Sequence, residues 1–131
     1  AAFTYLYHHF DGITWYIQYV LNMLYTSISD KSLLQEEDIK MAIDGILSQQ
    51  RFAYQALLYQ LTAKQKQVLI AIAQEGKPSS LMSQGFLQKH HLGASTVQGA
   101  VKALLDRDFI TQDEGVYQLC DKFLELSLRG N

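Results

Sequence analysis

Cysteine and proline are almost absent from this sequence, which has one of each, Cys120 and Pro78, among its 131 residues. A single cysteine excludes an intrachain disulfide and any zinc site built from cysteine clusters. It also fits the reducing conditions of the cytoplasm, where we expect this protein to act. Because proline interrupts helices, its scarcity, together with apolar runs longer than a strand, predicts a mainly α-helical fold.

The sequence also has little net charge, with a formal value of −2. Residues 1–60 carry three basic and six acidic side chains, and residues 61–131 carry eight basic and seven acidic ones. A dedicated nucleic-acid-binding domain usually has a clear basic excess. The composition therefore weighs against a protein whose main role is electrostatic capture of nucleic acid.

Long apolar runs and targeting signals are lacking as well. The longest apolar stretch, residues 13–24, is interrupted by Gln18 and Asn22, and it is shorter than the roughly 20 residues of a membrane-spanning helix. No charged-then-apolar signal peptide opens the chain. We therefore expect no membrane association. Because the chain begins Ala-Ala-Phe inside an apolar segment, we interpret it as a fragment of a larger protein.

The first sixty residues predict a bundle of helices. One helix covers residues 3–10, and Thr14 is expected to cap a second that runs to about Ser27. Three acidic residues, Glu36–Asp38, stand where a third helix begins, since the helix macrodipole favours acids in the first turn. This third helix is long, and it is expected to bend or split at Gly45 or at Ser48–Gln50.

The second half carries sharper signals for helix ends. Thr62 and Gln65 have the spacing of a capping box, which predicts a helix start. Gly76 followed by Pro78 predicts the end of that helix. Ser83 is then expected to cap a short helix that ends at about residue 90.

A tight turn at Leu92–Ala94 separates this short helix from the next, which Ser95 is expected to cap. Residues 109–111 and 116–119 are short β-type runs around a segment that contains Gly115, so they predict a hairpin. A last helix is expected over residues 121–128. Three helices followed by a hairpin is the order of a winged helix-turn-helix, with the hairpin as its wing. The sequence thus predicts a mainly α fold, with a helical bundle over residues 1–60 and a winged helix over residues 61–131.

The helix after the turn would be the recognition helix of such a domain. A helical wheel places Ser95, Gly99, Lys102 and Asp106 opposite its apolar stripe. Hydroxyl and amide side chains in its first turns can reach base edges or phosphates, and lysine can contact a phosphate. The candidate DNA- or partner-binding residues are therefore Lys89, His90, His91, Ser95, Thr96, Gln98 and Lys102.

Acidic residues surround this candidate surface and favour a different partner. Asp113 and Glu114 occupy the predicted wing tip, where a DNA-binding wing often carries Lys or Arg, and Asp106 and Asp108 follow the recognition helix. These carboxylates would repel phosphates, and so few cations would release few counterions. Protein or intramolecular packing is therefore favoured, and DNA binding is the alternative.

No catalytic residue, metal site or cofactor site is expected in this chain. Neighbouring helix residues point about 100° apart, so the pairs His8–His9 and His90–His91 are poor chelators of one metal. Cys120 follows an apolar strand and is predicted to be a small buried side chain. The Gly-Lys pair at residues 76–77 is not a phosphate-binding loop, because Ala71 and Pro78 stand where that motif needs Gly and Ser or Thr.

Short motifs spread over nearly the whole chain carry a family resemblance. They are Gly12–Gln18, Leu61–Leu69, Gly93–Val97, Leu104–Ile110 and Cys120–Leu126. In this order they resemble the C-terminal region of bacterial and archaeal P-loop ATPases of the AAA+/STAND type. In that group a helical lid follows the nucleotide-binding domain, and a winged helix follows the lid.

The resemblance implies that residues 1–60 are lid-like and that the parent protein binds ATP through a domain outside this chain. Thr14 and Lys122 stand where the family has proline, and Trp15 stands where related ATPases carry an arginine that senses the nucleotide phosphates. The implied role is a non-catalytic regulatory or interaction module of a larger ATPase. Its partners would be the parent ATPase domain and another protein.

Overall fold

The computed structural model describes residues 2–10, 13–27 and 35–129. It divides into two compact units, residues 1–51 and residues 52–131. The boundary that the sequence sets between residues 60 and 61 stays a prediction. Gly12, which opens one of the family-like motifs, lies outside the described residues.

The first unit is helical. It contains α1 (Ala2–His9), α2 (Thr14–Ser27) and most of α3 (Glu36–Tyr59). The buried apolar side chains recur at helical spacing on each helix, which is why these segments form amphipathic helices. They are Leu6, Ile17, Val20, Leu24, Ile39, Ile43 and Ile46, and Phe10, directly after α1, is buried as well.

The third helix is not split at either predicted position, since α3 continues through Gly45 and Ser48–Gln50. Glycine in a helix interior costs about 1 kcal/mol relative to alanine. Burial of Ile39, Ile43 and Ile46 on one face offsets this cost, since each such side chain contributes about 1.5–3 kcal/mol. At the start of α3, a carboxylate oxygen of Asp38 accepts a hydrogen bond from the Gln35 backbone N–H at 2.9 Å.

The second unit has the element order of a winged helix, which confirms the predicted fold class. After the end of α3 come α4 (Ala63–Glu75), α5 (Gln84–Lys89), α6 (Ala94–Asp106), β1 (Ile110–Asp113), β2 (Val116–Leu119) and α7 (Lys122–Arg129). Helix α4 lies at the centre, because it packs against α6, α7 and β2.

Local signals place both ends of α4 as predicted. The Thr62 hydroxyl accepts a hydrogen bond from the Gln65 N–H at 3.2 Å, and the Gln65 side chain accepts one from the Thr62 N–H at 3.1 Å. This reciprocal pair is a capping box. The helix ends at Gly76, whose φ of 87° suits glycine and whose N–H donates to the Ile72 carbonyl.

The helix-turn-helix is formed by α5 and α6. Ser83 caps α5 as predicted, since its hydroxyl accepts a hydrogen bond from the Phe86 N–H at 3.2 Å. The predicted cap of α6 is wrong: Gly93, in an extended conformation, is the N-cap, and Ser95 lies inside the first turn. The turn explains the difference, because His91 leaves helical geometry with a φ of 55°, the chain is extended at Gly93, and α6 begins at the next residue, Ala94.

The predicted hairpin is present as an antiparallel pair in which Ile110 lies opposite Leu119. Its two-residue loop consists of Glu114 and Gly115, with φ values of 51° and 78°. Positive φ at both positions is the signature of a type I′ turn, whose twist matches that of the strands. The Tyr117 N–H donates to the Pro78 carbonyl at 2.9 Å, so the wing is attached to the segment that follows α4.

Helix α7 closes the second unit. One Asp121 carboxylate oxygen accepts hydrogen bonds from the N–H groups of Phe123 at 2.9 Å and Leu124 at 3.3 Å. The other oxygen accepts the Tyr54 hydroxyl at 3.4 Å. Asp121 therefore both caps α7 and connects it to the end of α3 that belongs to this unit.

Candidate functional site

The exposed face of α6 is polar and nearly neutral. Ser95, Gln98 and Lys102 are exposed and Thr96 is partly exposed, while Val97, Ala100 and Leu104 are buried on the opposite side. Lys102 is the only basic residue in this helix, and Asp106 is its only acid. The face therefore offers hydroxyl and amide hydrogen-bonding groups with little net charge.

The start of α6 adds backbone donors to this surface. Its N-cap, Gly93, makes no side-chain hydrogen bond to the first turn. The first N–H groups of a helix have no partner within the helix. They lie beside the exposed Ser95 and Gln98, so this end of α6 can donate hydrogen bonds to a carbonyl, carboxylate or phosphate oxygen.

Lys89 and His90 are brought together by a residue that the sequence did not single out. Lys89 Nζ and His90 Nε2 each lie 2.9 Å from the same oxygen, Oε1 of Glu75. The Lys89 side chain is 66% exposed and the His90 side chain is 10% exposed. The His90 ring also packs on Phe86, with 4.7 Å between ring centroids. Both candidate residues therefore already have an acidic partner.

The electrostatics of Glu75 follow from these contacts. Hydrogen bonds from Lys89, and then from His90, hold the pKa of the Glu75 carboxyl below its usual value. The carboxyl is therefore ionised at neutral pH and cancels positive charge at the end of α5. Because its pKa is lowered in the folded state, this contribution to stability is lost only as the pH falls through the lowered value.

The sequence contains one signal that could have identified Glu75 as the partner of a cationic side chain. It lies in the last turn of α4, where the negative end of the macrodipole disfavours an acid. An acid in that place indicates a nearby cationic partner. The sequence did not reveal which one, because the partners are 14 and 15 residues away along the chain.

His91 lies in the turn between α5 and α6, and it is exposed with a φ of 55°. Its backbone N–H donates to the Gln88 carbonyl at 3.3 Å. The structure thus places it apart from the Glu75 contacts, at the tip of the turn. In the other histidine pair, His8 is exposed and meets Tyr7 edge to face, while the side chain of His9 lies outside the described residues.

A shallow, open pocket of about 320 Å³ lies between the end of α4 and α5. Its lining combines hydroxyl groups, one aromatic ring and the Glu75–Lys89 ion pair. The lining residues are Glu75, Pro78, Ser79, Ser80, Ser83, Gly85, Phe86 and Lys89. Because the two charged groups pair with each other and Ser83 caps α5, the pocket has no concentrated charge to hold an ionic ligand.

The wing tip and the end of α6 expose carboxylates. Asp106, Asp108, Asp113 and Glu114 are all exposed. The neighbouring Arg107 is occupied, since its guanidinium donates to the Gln60 carbonyl at 3.1 Å. The region that would approach a phosphate backbone in a DNA-binding wing therefore presents acids.

Cys120 is exposed, so its predicted burial is wrong. Side chains alternate between faces along a strand, and Leu119 points into the core at the end of β2. The next residue therefore points outward. Partial desolvation, followed by the charges of Asp108 and Asp121, raises the pKa of the Cys120 thiol. The thiol is consequently protonated at neutral pH, which makes it a poor nucleophile.

Within residues 2–10, 13–27 and 35–129, no helix is both long and apolar enough to cross a lipid bilayer. In the same part of the chain, histidine, cysteine and acidic side chains form no group of three or more that is arranged to hold a metal ion.

Comparison with known proteins gives one match. A family model described as a probable winged helix domain matches residues 52–130. No curated protein matches the chain significantly, and no solved structure does so. The matched residues coincide with the second unit, which begins at Phe52.

Proposed function

The chain belongs to the family of probable winged helix domains, and from that membership we propose that it is a non-catalytic interaction module whose winged helix binds protein. Winged helices serve as binding modules for DNA or proteins. The proposed surface is the exposed side of α6 with the preceding turn. It includes Ser95, Thr96, Gln98, Lys102 and His91.

The observation that carries this proposal is the neutrality of that surface. In α6 a single lysine is accompanied by a single aspartate. Lys89 is paired with Glu75 at 2.9 Å, and the wing tip exposes Asp113 and Glu114. DNA binding outside specific base contacts depends on Lys and Arg that neutralise phosphates and release counterions. A surface without such an excess suits a protein partner or another part of the same polypeptide.

Titration of the chain against a fluorescent 20-base-pair duplex tests the proposal. At 150 mM salt we expect a Kd weaker than about 100 µM, which is the weak end of non-specific DNA binding. Anisotropy measured at 50, 100 and 150 mM salt gives both the affinity and its salt dependence. Lys102→Ala is expected to leave this weak binding nearly unchanged. Micromolar binding at 150 mM salt would contradict the proposal.

The second candidate function is DNA binding, and the start of α6 favours it. The uncapped first turn and the exposed Ser95 and Gln98 have the chemistry that reads phosphates and base edges. In that case the same titration would show micromolar affinity that falls with salt. The affinity would also fall in Lys102→Ala and Lys89→Ala variants.

We further propose that this module belongs to a cytoplasmic ATPase, with residues 1–60 as a lid and the ATPase domain as an intramolecular partner. The order of family-like motifs supports this, as does the helical character of the first unit. The chain itself is proposed to hold no cofactor and no catalytic residue.

Two measurements test the ATPase context. The purified chain is expected to release no phosphate from ATP above a buffer control, because it lacks a phosphate-binding loop. The coding sequence upstream of Ala1 is expected to encode such a loop, followed by a strand that ends in an acidic residue. Hydrolysis by the pure chain would refute the assignment, and so would an upstream region without the loop.

A further inference from the structure

We propose that Glu75 is a specificity-determining residue, which neutralises Lys89, accepts a hydrogen bond from His90 and thereby lowers the affinity of the helix-turn-helix for phosphate backbones. The inference deepens the proposed function and rests on it, because it explains how a winged helix avoids DNA while it binds protein. It assigns to one carboxylate of α4 a role at a surface formed by α5 and α6.

The geometry of the contact is the first support. A single oxygen, Glu75 Oε1, lies 2.9 Å from Lys89 Nζ and 2.9 Å from His90 Nε2. Lys89 is the last residue of α5 and His90 is its C-cap, so both donors stand at the entrance to the turn that leads to α6. Bound to Glu75, the two side chains are directed back toward the end of α4.

The position of Glu75 within α4 is the second support. An acid in the last turn of a helix faces the partial negative charge of the macrodipole, which is unfavourable. Glu75 therefore gains nothing from its own helix, and its favourable interactions come from α5. The contact also leaves the Lys89 side chain 66% exposed, so Lys89 can extend toward an anion once the carboxylate is gone.

The charge state of Glu75 makes the neutralisation persistent. Its donors keep the carboxyl ionised at neutral pH, as the lowered pKa shows. The charges of Lys89 and Glu75 are only 2.9 Å apart, so their electrostatic potentials largely cancel at the position of an approaching phosphate. Lys89 therefore contributes little to the potential that attracts a duplex. Removing the carboxylate charge restores one full positive charge at the end of α5, just before the turn that leads to α6.

The test compares Glu75→Gln with the wild-type chain in the duplex titration. Glutamine keeps the shape of the side chain and removes the charge. Each additional phosphate contact makes the slope of log K against log salt concentration steeper by about 0.9. Near 50 mM salt, one such contact corresponds to roughly tenfold tighter DNA binding. We therefore expect about a tenfold gain in affinity at 50 mM and a slope that is steeper by about one.

Two controls distinguish the effect of the Glu75–Lys89 contact on DNA affinity from the effect of the net charge of the chain. Glu37→Gln removes the same charge from an exposed position at the start of α3 and is expected to change DNA affinity less than twofold. The double variant Glu75→Gln, Lys89→Ala is expected to lose the gain. Glu75→Ala serves as a second charge-removing variant, and circular dichroism checks that every variant keeps its helices.

The outcomes are separable. If Glu75→Gln and Glu75→Ala, both folded, bind DNA within twofold of the wild type, the role of Glu75 is refuted. An equal gain in Glu37→Gln would also refute it, because net charge alone would then explain the effect. Micromolar binding by the wild-type chain at 150 mM salt would instead overturn the proposed function, whatever the ratio between variants.

Discussion

Replacing Glu125 with alanine is expected to lower the free energy of unfolding of the winged helix by about 3–5 kcal/mol, the typical cost of removing one partner of a buried ion pair. Glu125 Oε2 lies 3.6 Å from Lys122 Nζ, and each residue is only 4% exposed. The substitution leaves the Lys122 ammonium buried without this carboxylate. Since a small domain has a total stability of about 5–15 kcal/mol, chemical denaturation should show a large shift of the midpoint.

A matched double variant shows whether the loss of stability in Glu125→Ala arises from a buried charge that has lost its carboxylate. Lys122→Met combined with Glu125→Leu replaces both ions with apolar side chains of similar length. Such replacements are often neutral or stabilising, so we expect a free energy of unfolding within about 1 kcal/mol of the wild type. Arg129, which lies 3.9 Å from the same carboxylate, is exposed enough at 49% to be solvated in the variant. If Glu125→Ala alone costs less than about 1 kcal/mol, the pair is not buried as the structure shows.

Features governed by neighbouring residues were predictable from the sequence. The capping box at Thr62 and Gln65, the Ser83 cap and the hairpin around Gly115 all appear where the sequence placed them. Each depends on hydrogen bonds or backbone angles within about four residues. Helical periodicity predicts Val97, Val101, Leu104 and Leu105 as the inner face of α6; the structure buries Val97 and Leu104, while Val101 and Leu105 are half-buried.

Features that depend on distant partners were not predictable. The sequence indicated that Lys89 and His90 lie before the turn, but not that Glu75 binds both. Lys122 and Glu125 are only three residues apart, but their burial depends on the packing of α7 against α4 and β2, which the sequence does not reveal. The burial of Cys120 was wrongly predicted because an apolar run predicts a strand without fixing which face the residue after it occupies.

The misplaced cap of α6 has a similar origin. Serine is a strong N-cap and glycine a weaker one, so local preference favours Ser95 over Gly93. The turn nevertheless makes Gly93 the N-cap. The Leu92 N–H donates to the Leu87 carbonyl at 2.9 Å, and Gly93 then adopts the extended conformation of an N-cap. As a consequence the Ser95 hydroxyl is left on the exposed surface, where it is available to a partner.

The structure thus gives the candidate surface two contrasting parts. The start of α6 presents hydrogen-bonding groups with no side-chain cap, and its surroundings present carboxylates or neutralised cations. A winged helix recognises DNA by combining both base contacts and phosphate contacts. Here the groups that make specific contacts are present and the cations that supply electrostatic affinity are few or paired, and this balance is the basis of the proposal that the partner is a protein.

Replacing Leu104 with alanine is the second change with a large expected effect. Leu104 is fully buried on the inner face of α6, and α6 packs mainly against α4. Deleting such a side chain costs about 2–5 kcal/mol, because apolar burial is lost and a cavity remains. Chemical denaturation followed by circular dichroism measures this loss directly.

Two neighbours on the same helix are the controls, and they link stability to binding. Leu105 is only partly buried, so Leu105→Ala is expected to cost less than Leu104→Ala. Lys102 is exposed, and Lys102→Ala should change the free energy of unfolding by no more than about 0.5 kcal/mol. Equal losses for Leu104→Ala and Lys102→Ala would show that α6 does not bury this face. The expected ranking instead means that binding changes caused by Lys102 substitutions report on the surface itself, because the helix that presents it stays folded.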